Sequence, residues 1–182
     1  MTAIRPAAVA GMFYPADFAE ARRQLDAFLA EAEAKAHPAG PRPPKALIAP
    51  HAGWVYSGPI AASAYIRLRP LRGRIERVVL LGPSHRVAFR GLALSGADEW
   101  ASPLGAVMLD REGAERLMAL PGVGLLDQAH AQEHSLEVHV PFLQAVLGDF
   151  KLLPIVVGDA PDDVVAAVID AAWGGSETLV VV

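Results

Sequence analysis

The sequence KALIAPHAGWVYSG, residues 45–58, opens with a short apolar run and breaks at Pro50. It then presents His51, followed by a glycine, an aromatic pair and a second glycine. A short apolar run bounded by turn residues is typical of a buried strand that ends in a loop. This stretch therefore predicts a strand whose carboxyl end presents a histidine.

A second stretch, RVVLLGPSHR at residues 77–86, repeats this arrangement. Its apolar run turns at Gly82 and Pro83 and then presents Ser84 and His85. In open α/β sheets, ligands bind outside the carboxyl ends of the strands. We therefore expect His51 and His85 to lie on the same edge of one sheet, where they can converge.

Strands alternate with helices along the rest of the chain, and each strand is nearly continuous in Val, Leu and Ile. This pattern predicts an α/β fold with a mostly parallel central sheet and helices on both faces. We expect Pro59 in the first turn of its helix, Pro141 at a kink, and a linker at residues 37–44 with a solvated His37. Strands are predicted at residues 91–95, 106–110, 151–158 and 178–182, and helices at residues 17–36, 59–69, 112–120, 135–147 and 161–173.

The composition excludes several classes of protein. The 182 residues are most simply one domain, with 53% hydrophobic and 20% charged residues. The absence of cysteine excludes disulfides, thiolate nucleophiles, iron–sulfur clusters and Cys-ligated zinc. The net charge of −4 and the lack of a basic stripe indicate no nucleic-acid partner. No apolar run reaches the ~18 residues of a membrane span, so we expect a cytoplasmic protein that does not associate with membranes.

The two strand-end histidines suggest a metal site. Two neutral imidazoles on facing loops suit a divalent transition metal, although a histidine after a strand can equally be hydrogen-bonded to backbone. Tyr56 and Ser84 supply hydroxyl groups beside His51 and His85. Trp54 and Tyr56 either wall an aromatic pocket or pack within the loop.

A third polar cluster, HAQEHSLEVHVP at residues 130–141, adds His134 at the start of a predicted helix. Glu133 and Glu137 flank this histidine, and we expect these carboxylates and the helix end to tune its charge. We expect His130 at the surface and His139 partly buried. Glycine-rich phosphate loops, H-E-x-x-H and G-x-S-x-G are all absent.

The same residues carry a family resemblance that spans essentially the whole chain. The chain resembles the Memo-like proteins, also described as component B of the AmmeMemoRadiSam system. The family's fold is similar to that of class III extradiol dioxygenases, the protocatechuate-dioxygenase type that uses non-haem iron(II). The matching motifs, in order, are RPAAVAGMFYP, APHAGWVYSGPIAASAY, VVLLGPSHR, SPLGAVMLD, EHSLEVHVPFLQ and LLPIVVGD.

This resemblance implies that His51 and His85 are metal ligands and that His134 lines the same pocket. Family members continue into a serine–aspartate–histidine motif and then a further metal ligand. We therefore expect residues 1–182 to form a single Memo-like α/β domain that lacks the C-terminal part of the family domain. A final exposed Val-Val-Val strand would favour edge pairing or aggregation. A homo-oligomer is a further expectation.

Three functions follow as hypotheses. The first is a metal-dependent oxidoreductase of the dioxygenase type, in which His51 and His85 bind iron(II). Copper and zinc are alternatives to iron. His134 would be the catalytic residue and would position or protonate the substrate or bound oxygen. The second is a non-enzymatic module that binds a peptide or a small anion in the same pocket. The third is a hydrolase that uses metal-bound water. The identity of the small-molecule or peptide ligand is not predicted.

Overall fold

The computed structural model describes residues 2–36 and 43–182, so His37 and most of the expected linker lie outside the described residues. The described strands are β1 (Ile4–Arg5), β2 (Ala46–Leu47), β3 (Arg77–Pro83), β4 (Leu92–Leu94), β5 (Glu99–Trp100), β6 (Val107–Met108), β7 (Val123–Leu125), β8 (Lys151–Val157) and β9 (Thr178–Val181). The described α-helices are α1 (Phe18–Ala34), α2 (Trp54–Tyr65), α3 (Arg111–Leu117), α4 (Asp127–Ala131), α5 (Val140–Leu147) and α6 (Asp162–Ala172). Two 3₁₀-helices cover Ile66–Leu71 and Glu137–His139.

A six-stranded sheet forms the centre of the fold, in the order β2-β9-β3-β8-β4-β7. The first four of these strands run parallel, and β4 is antiparallel to β8. A smaller sheet, β1-β5-β6, holds the N-terminal segment. The predicted α/β fold with a multi-stranded sheet is confirmed.

Helices cover both faces of the large sheet because successive side chains of a strand point to opposite faces. Along β3, Val78 and Leu80 join the core cluster that includes α1, α2 and α5. Val79 and Leu81 join the other cluster, together with α3 and α6. All four side chains are almost completely buried, which explains the unbroken apolar run at this point of the sequence.

Helix α2 begins at Trp54, five residues before the predicted start, so the expectation that Pro59 occupies the first turn is wrong. The extended Gly53 sets the start, and the Trp54 N–H donates to the carbonyl of Phe13 at 2.7 Å. Pro59 lies inside the helix, where it has no N–H to donate to the carbonyl of Val55.

The predicted helix at residues 135–147 is also shorter than expected. The 3₁₀-helix Glu137–His139 comes first, and α5 begins only at Val140. Pro141 therefore lies in the first turn, where a missing N–H costs no hydrogen bond, rather than at a kink. His134 consequently lies in a loop, directly before the turn at Ser135 and Leu136 that leads into the 3₁₀-helix.

The last strand, β9, is not an edge strand, so the expected exposure of the Val-Val-Val sequence is wrong. It lies between β2 and β3, and its four residues are buried. The edges of the sheet are β2 and β7. No helix in residues 2–36 and 43–182 is long and apolar enough to cross a membrane.

Candidate metal site

Three histidines from three separate loops meet at the carboxyl end of the parallel strands. His51 follows β2, His85 follows β3, and His134 follows α4. The ring centroids are 5.3 Å apart for His51 and His85, 4.5 Å for His85 and His134, and 6.1 Å for His51 and His134. The sheet thus brings together the residues that sequence reasoning placed at one edge. The His85, Glu133 and His134 side chains offer ligand atoms within 4.8 Å of one another, a group that could hold a metal ion.

Glu133 is the most heavily hydrogen-bonded residue of this cluster. Its Oε2 accepts from the His85 backbone N–H at 2.6 Å, and its Oε1 accepts from the backbone N–H groups of His134 and Ser135. Oε1 also lies 2.8 Å from Nδ1 of His85. A carboxylate offers about four lone-pair sites, so these four bonds leave Glu133 little capacity to bind a metal itself.

Glu133 instead fixes the tautomer of His85. Burial opposes the charged carboxylate, but the backbone and side-chain hydrogen bonds from His85 and the N–H of Ser135 outweigh it and hold the pKa of Glu133 at about 2. An ionised carboxylate can only accept, so Nδ1 of His85 carries a proton, and in the neutral ring the lone pair lies on Nε2. A carboxylate on one ring nitrogen is the usual support of a histidine that binds metal through the other.

The other two imidazoles of the cluster are kept neutral. Burial lowers the pKa of His51, and the neighbouring His85 lowers it further. Burial also lowers the pKa of His134, with Glu133 opposing the effect and His85, His51 and Arg86 reinforcing it. Neutral imidazole is the form that binds transition metals.

One buried nitrogen of the cluster lacks a hydrogen-bond partner. Nδ1 of His134 has none among residues 2–36 and 43–182, and it lies 3.4 Å from Oε1 of Glu133. A buried polar atom without a partner costs free energy unless a ligand, a metal or water satisfies it. A ligand bound at the site can satisfy this nitrogen, and the imidazole nitrogens beside it suit a transition metal, so the residues fit such an ion.

Ser84 and Tyr56, which flank the histidines in sequence, lie in two different environments in the structure. The Ser84 hydroxyl donates to the carbonyl of Val87 at 2.6 Å and borders a cavity of about 530 Å³ that follows the loop after β3. Arg90 and Asp159 also line this cavity. Tyr56 is 82% exposed on α2, so it does not wall an enclosed pocket as the aromatic-pocket alternative required.

Trp54 belongs to the hydrophobic core, in agreement with the packing alternative. Its ring lies 5.1 Å from Phe142 and 5.2 Å from Tyr14, and its Nε1 donates to the carbonyl of Val138. The amphipathic indole therefore has both its apolar body and its N–H satisfied inside the protein.

Glu137, expected to tune the charge of His134, instead anchors the N-terminal segment. Its carboxylate accepts from Arg5 at 2.7 Å and from the Tyr14 hydroxyl at 2.7 Å. It also accepts from the backbone N–H groups of Ala8 and Val9. Glu137 is 1% exposed. Because its buried charge is paired with Arg5 and not with a histidine, Glu137 does not belong to the histidine cluster.

Sequence reasoning was wrong about the burial of His130 and underestimated that of His139. His130, expected at the surface, is buried, with Nε2 3.0 Å from the carbonyl of Ala93. His139 is buried beneath His51, with ring centroids 6.4 Å apart, and its Nδ1 lies 2.8 Å from the Tyr65 hydroxyl. The alternation of apolar residues around His139 could have indicated its burial, whereas nothing in the sequence connects it with Tyr65.

These two histidines predict a pH dependence of stability. Burial lowers the pKa of His130 to about 4 and that of His139 to about 3, against about 6.5 in the unfolded chain. Because the unfolded state takes up protons first as the pH falls below about 6.5, the free energy of unfolding should drop by roughly 1 kcal/mol per histidine between pH 7 and pH 5.5. Urea titrations at both pH values measure the drop, and His139→Gln should reduce it. An unchanged free energy of unfolding would contradict the burial of both rings.

The chain is similar in sequence to a known protein family. The family model described as Memo-like protein matches residues 5–182. The chain belongs to the Memo-like protein family. A MEMO1 family protein of Sulfolobus acidocaldarius is 38% identical over 179 residues, covering 93% of this chain and 63% of the relative. MEMO1 family proteins of Aeropyrum pernix and Aquifex aeolicus are 43% and 39% identical, over 85% of this chain and 57% and 55% of their own lengths.

This Memo-like chain therefore spans a little more than half the length of the curated relatives it matches. The match includes every histidine of the cluster, since residues 5–182 contain the three strand-end and loop segments described above. The relatives' names state a family and no activity.

Proposed function

We propose that this chain binds a divalent transition metal, most favourably iron(II), through His51 and His85, and that the site acts as an oxidoreductase of the dioxygenase type on a small molecule. The observation that carries the proposal is the convergence of three histidines, two of them with lowered pKa values, around a His85 whose tautomer Glu133 fixes. Copper and zinc have the same preference for imidazole, and the experiment below compares them.

Ring orientation supports His51 and His85 as the metal ligands. The lone pair of an imidazole nitrogen lies in the plane of its ring. The rings of His51 and His85 are tilted by 56°, so their lone pairs can converge on one ion. The rings of His85 and His134 are stacked with an interplanar angle of 23°, so their lone pairs run side by side. His134 is therefore better placed to act on a ligand than to share the metal.

Each residue of the cluster then has a separate task. Glu133 holds the proton on Nδ1 of His85 and keeps Nε2 directed away from itself. His134, neutral and packed against Phe13 with ring centroids 4.6 Å apart, can accept a proton from a bound hydroxyl or return one. An iron(II) ion held by the two histidines would supply open coordination positions for substrate and dioxygen. The cavity beside Ser84 borders the same end of the sheet, although no histidine of the cluster lines it.

The test is metal retention by matched variants. Protein loaded anaerobically with iron(II), copper or zinc would be desalted, and bound metal quantified by mass spectrometry. We expect His51→Ala and His85→Ala to lose the metal, and Glu133→Gln to weaken its binding about 10–100-fold because an amide supports Nδ1–H of His85 less strongly than a carboxylate. The control Glu31→Gln removes an exposed carboxylate and should change nothing.

His134→Ala separates the two roles of the histidines. We expect it to retain the metal while altering the pH dependence of catechol-dependent oxygen uptake. Equal metal retention in wild type, His51→Ala and His85→Ala would contradict the proposed ligands. Stoichiometric iron without oxygen uptake would contradict the dioxygenase reaction and leave the metal site standing.

A further inference from the structure

A second cavity opens between the N-terminal segment and α4, and we call it the α4 cavity. It has a volume of about 340 Å³, near the lower end of the roughly 300–1,000 Å³ that is typical of ligand pockets. Its floor includes the buried residues Arg5, Ser95 and His130, and its rim includes the exposed residues Ile4 and Ala131. Among the described residues that line it, none belongs to the histidine cluster.

His130 carries an unused hydrogen-bond acceptor on the floor of this cavity. Its Nε2 lies 3.0 Å from the carbonyl of Ala93, which can only accept, so Nε2 carries a proton. Burial lowers the pKa of His130 to about 4, so the ring is neutral at pH 7 and Nδ1 keeps its lone pair. His130 is 1% exposed, and its Nδ1 has no hydrogen-bond partner among residues 2–36 and 43–182. Because buried polar atoms are nearly always satisfied, this nitrogen requires a donor from a ligand or from water.

The fold holds the His130 ring in place. Asp127, His130 and Ala131 lie on one face of α4, since they are three and four positions apart, and all three line the cavity. The His130 ring meets Trp100 edge-on with centroids 5.5 Å apart, and the His130 carbonyl accepts from Nε of Arg5 at 2.8 Å. The unused nitrogen is therefore fixed before a ligand arrives, and a preorganised acceptor binds its donor at a lower entropic cost.

The other polar groups of the cavity are largely bonded within the protein. Arg5 donates to three backbone carbonyls and to the carboxylate of Glu137. Asp127 accepts from the Gly96 N–H at 2.7 Å, and its side chain is exposed at the rim, where water can solvate its charge. The rest of the lining comes mainly from alanine, isoleucine and proline side chains. The cavity thus combines one free acceptor with an apolar wall.

The charges beside the ring favour a neutral ligand. Of the two charged groups that act on the pKa of His130, Arg5 lowers it more than Asp127 raises it, so a cation at Nδ1 would be repelled. A simple carboxylate or phosphate presents lone pairs only, and the lone pair of Nδ1 cannot donate to them. A hydroxyl or a neutral N–H group avoids both problems.

We infer that the α4 cavity binds a small neutral molecule whose hydroxyl or N–H group donates to Nδ1 of His130 and whose apolar body contacts Ile4 and Ala131. The volume of the cavity suits a compact ring or a short chain, and the single free acceptor needs a single donor. Ile4 is a large apolar side chain that is 53% exposed, and such a ligand would cover it. This site shares no residue with the proposed metal site.

The test uses benzyl alcohol as the probe, together with three molecules that share its ring. We expect titration with benzyl alcohol to shift the nitrogen-15 resonance of His130 Nδ1 in histidine-labelled protein. Benzyl methyl ether has a similar body without a donor, and it should bind about 10-fold more weakly because the hydrogen bond to a buried acceptor is lost. Benzylammonium and benzoate, which carry opposite charges, should both bind more weakly than benzyl alcohol.

Matched variants locate the binding. Ala131→Phe fills the rim of the cavity and should abolish the shift of the Nδ1 resonance. The control Gln128→Phe adds the same ring at an exposed position of α4 that does not line the cavity, and it should bind the probe normally. His130→Phe removes the acceptor, so benzyl alcohol and benzyl methyl ether should bind it equally. Ala131 and Gln128 are both exposed, so their comparison holds even where His130→Phe folds poorly.

Three outcomes would overturn the inference. An Nδ1 resonance that does not move as the probe is raised to its solubility limit would assign this nitrogen to water. A shift that persists unchanged in Ala131→Phe would place the probe elsewhere on the protein. Tightest binding of benzoate or benzylammonium would show that the site prefers a charged ligand. Metal retention is measured separately, and none of these variants changes the histidine cluster, so failure here is distinguishable from failure of the proposed function.

Discussion

Glu137→Ala is expected to lower the free energy of unfolding by about 3–5 kcal/mol, because it leaves the Arg5 guanidinium buried without its partner. Arg5 is 6% exposed and Glu137 is 1% exposed, and their charged atoms are 2.7 Å apart. The substitution also removes the acceptor of the Tyr14 hydroxyl and of two backbone N–H groups. Urea unfolding followed by circular dichroism measures the loss.

A matched control distinguishes this buried pair from an ordinary ion pair. Glu31→Ala removes the partner of Lys35 on α1, where both side chains are more than half exposed. We expect a change of about 0.5 kcal/mol or less, as for other exposed helix pairs. Equal losses for the two variants would mean that the Arg5–Glu137 pair contributes no more than a surface contact. Trp100, which lies 4.2 Å from the Arg5 guanidinium carbon, should change its fluorescence in Glu137→Ala alone.

Gly91→Ala is the second substitution for which we expect a large effect, about 2–4 kcal/mol from backbone strain and steric overlap together. Gly91 has φ +87°, and a Cβ added to it would lie 2.1 Å from the carbonyl oxygen of Gly122. That oxygen accepts the Leu92 N–H and cannot withdraw without loss of this bond. Gly91 is also the last residue of the loop that begins with Ser84 after β3. A displacement of Gly91 should therefore shift Ser84 as well.

Gly73→Ala supplies the matched control. Gly73 has a comparable φ of +69°, but a Cβ there would meet nothing within 4 Å. The substitution Gly73→Ala should therefore lower the free energy of unfolding only by the strain of the left-handed conformation, about 1 kcal/mol. The difference between the two variants in urea unfolding isolates the overlap with Gly122. A Gly91→Ala protein as stable as Gly73→Ala would show that the two loops separate freely.

The sequence was sufficient to predict the α/β sheet and the meeting of His51 and His85, because both depend on local patterns. Each apolar run marks a buried strand, and parallel strands end at a common edge. The placement of Glu137 could not be predicted in the same way. Whether a carboxylate faces a pocket or a buried arginine depends on Arg5, which is 132 positions away in the chain.

The predictions of the helix boundaries and of the burial of the histidines were inaccurate for related reasons. The start of α2 depends on a hydrogen bond from Trp54 to the carbonyl of Phe13, and local propensity at Pro59 carries no information about that contact. The burial of His139 depends on the Tyr65 hydroxyl. Glu133 was correctly placed near His134, but its role in fixing the tautomer of His85 follows only from four hydrogen bonds that the folded loops bring together.

The N-terminal anchor has a consequence for the order of folding. Arg5 donates to the carbonyls of His130 and Glu133 as well as to Glu137, so the loop that carries His134 is held by a residue from the start of the chain. During synthesis the first segment must therefore wait for more than 120 later residues before its partner exists. Such non-local closures form late and slowly. The histidine cluster should thus acquire its final shape late in folding, together with the equally distant pairing of β2 with β9, in which Ala46 lies beside Val180.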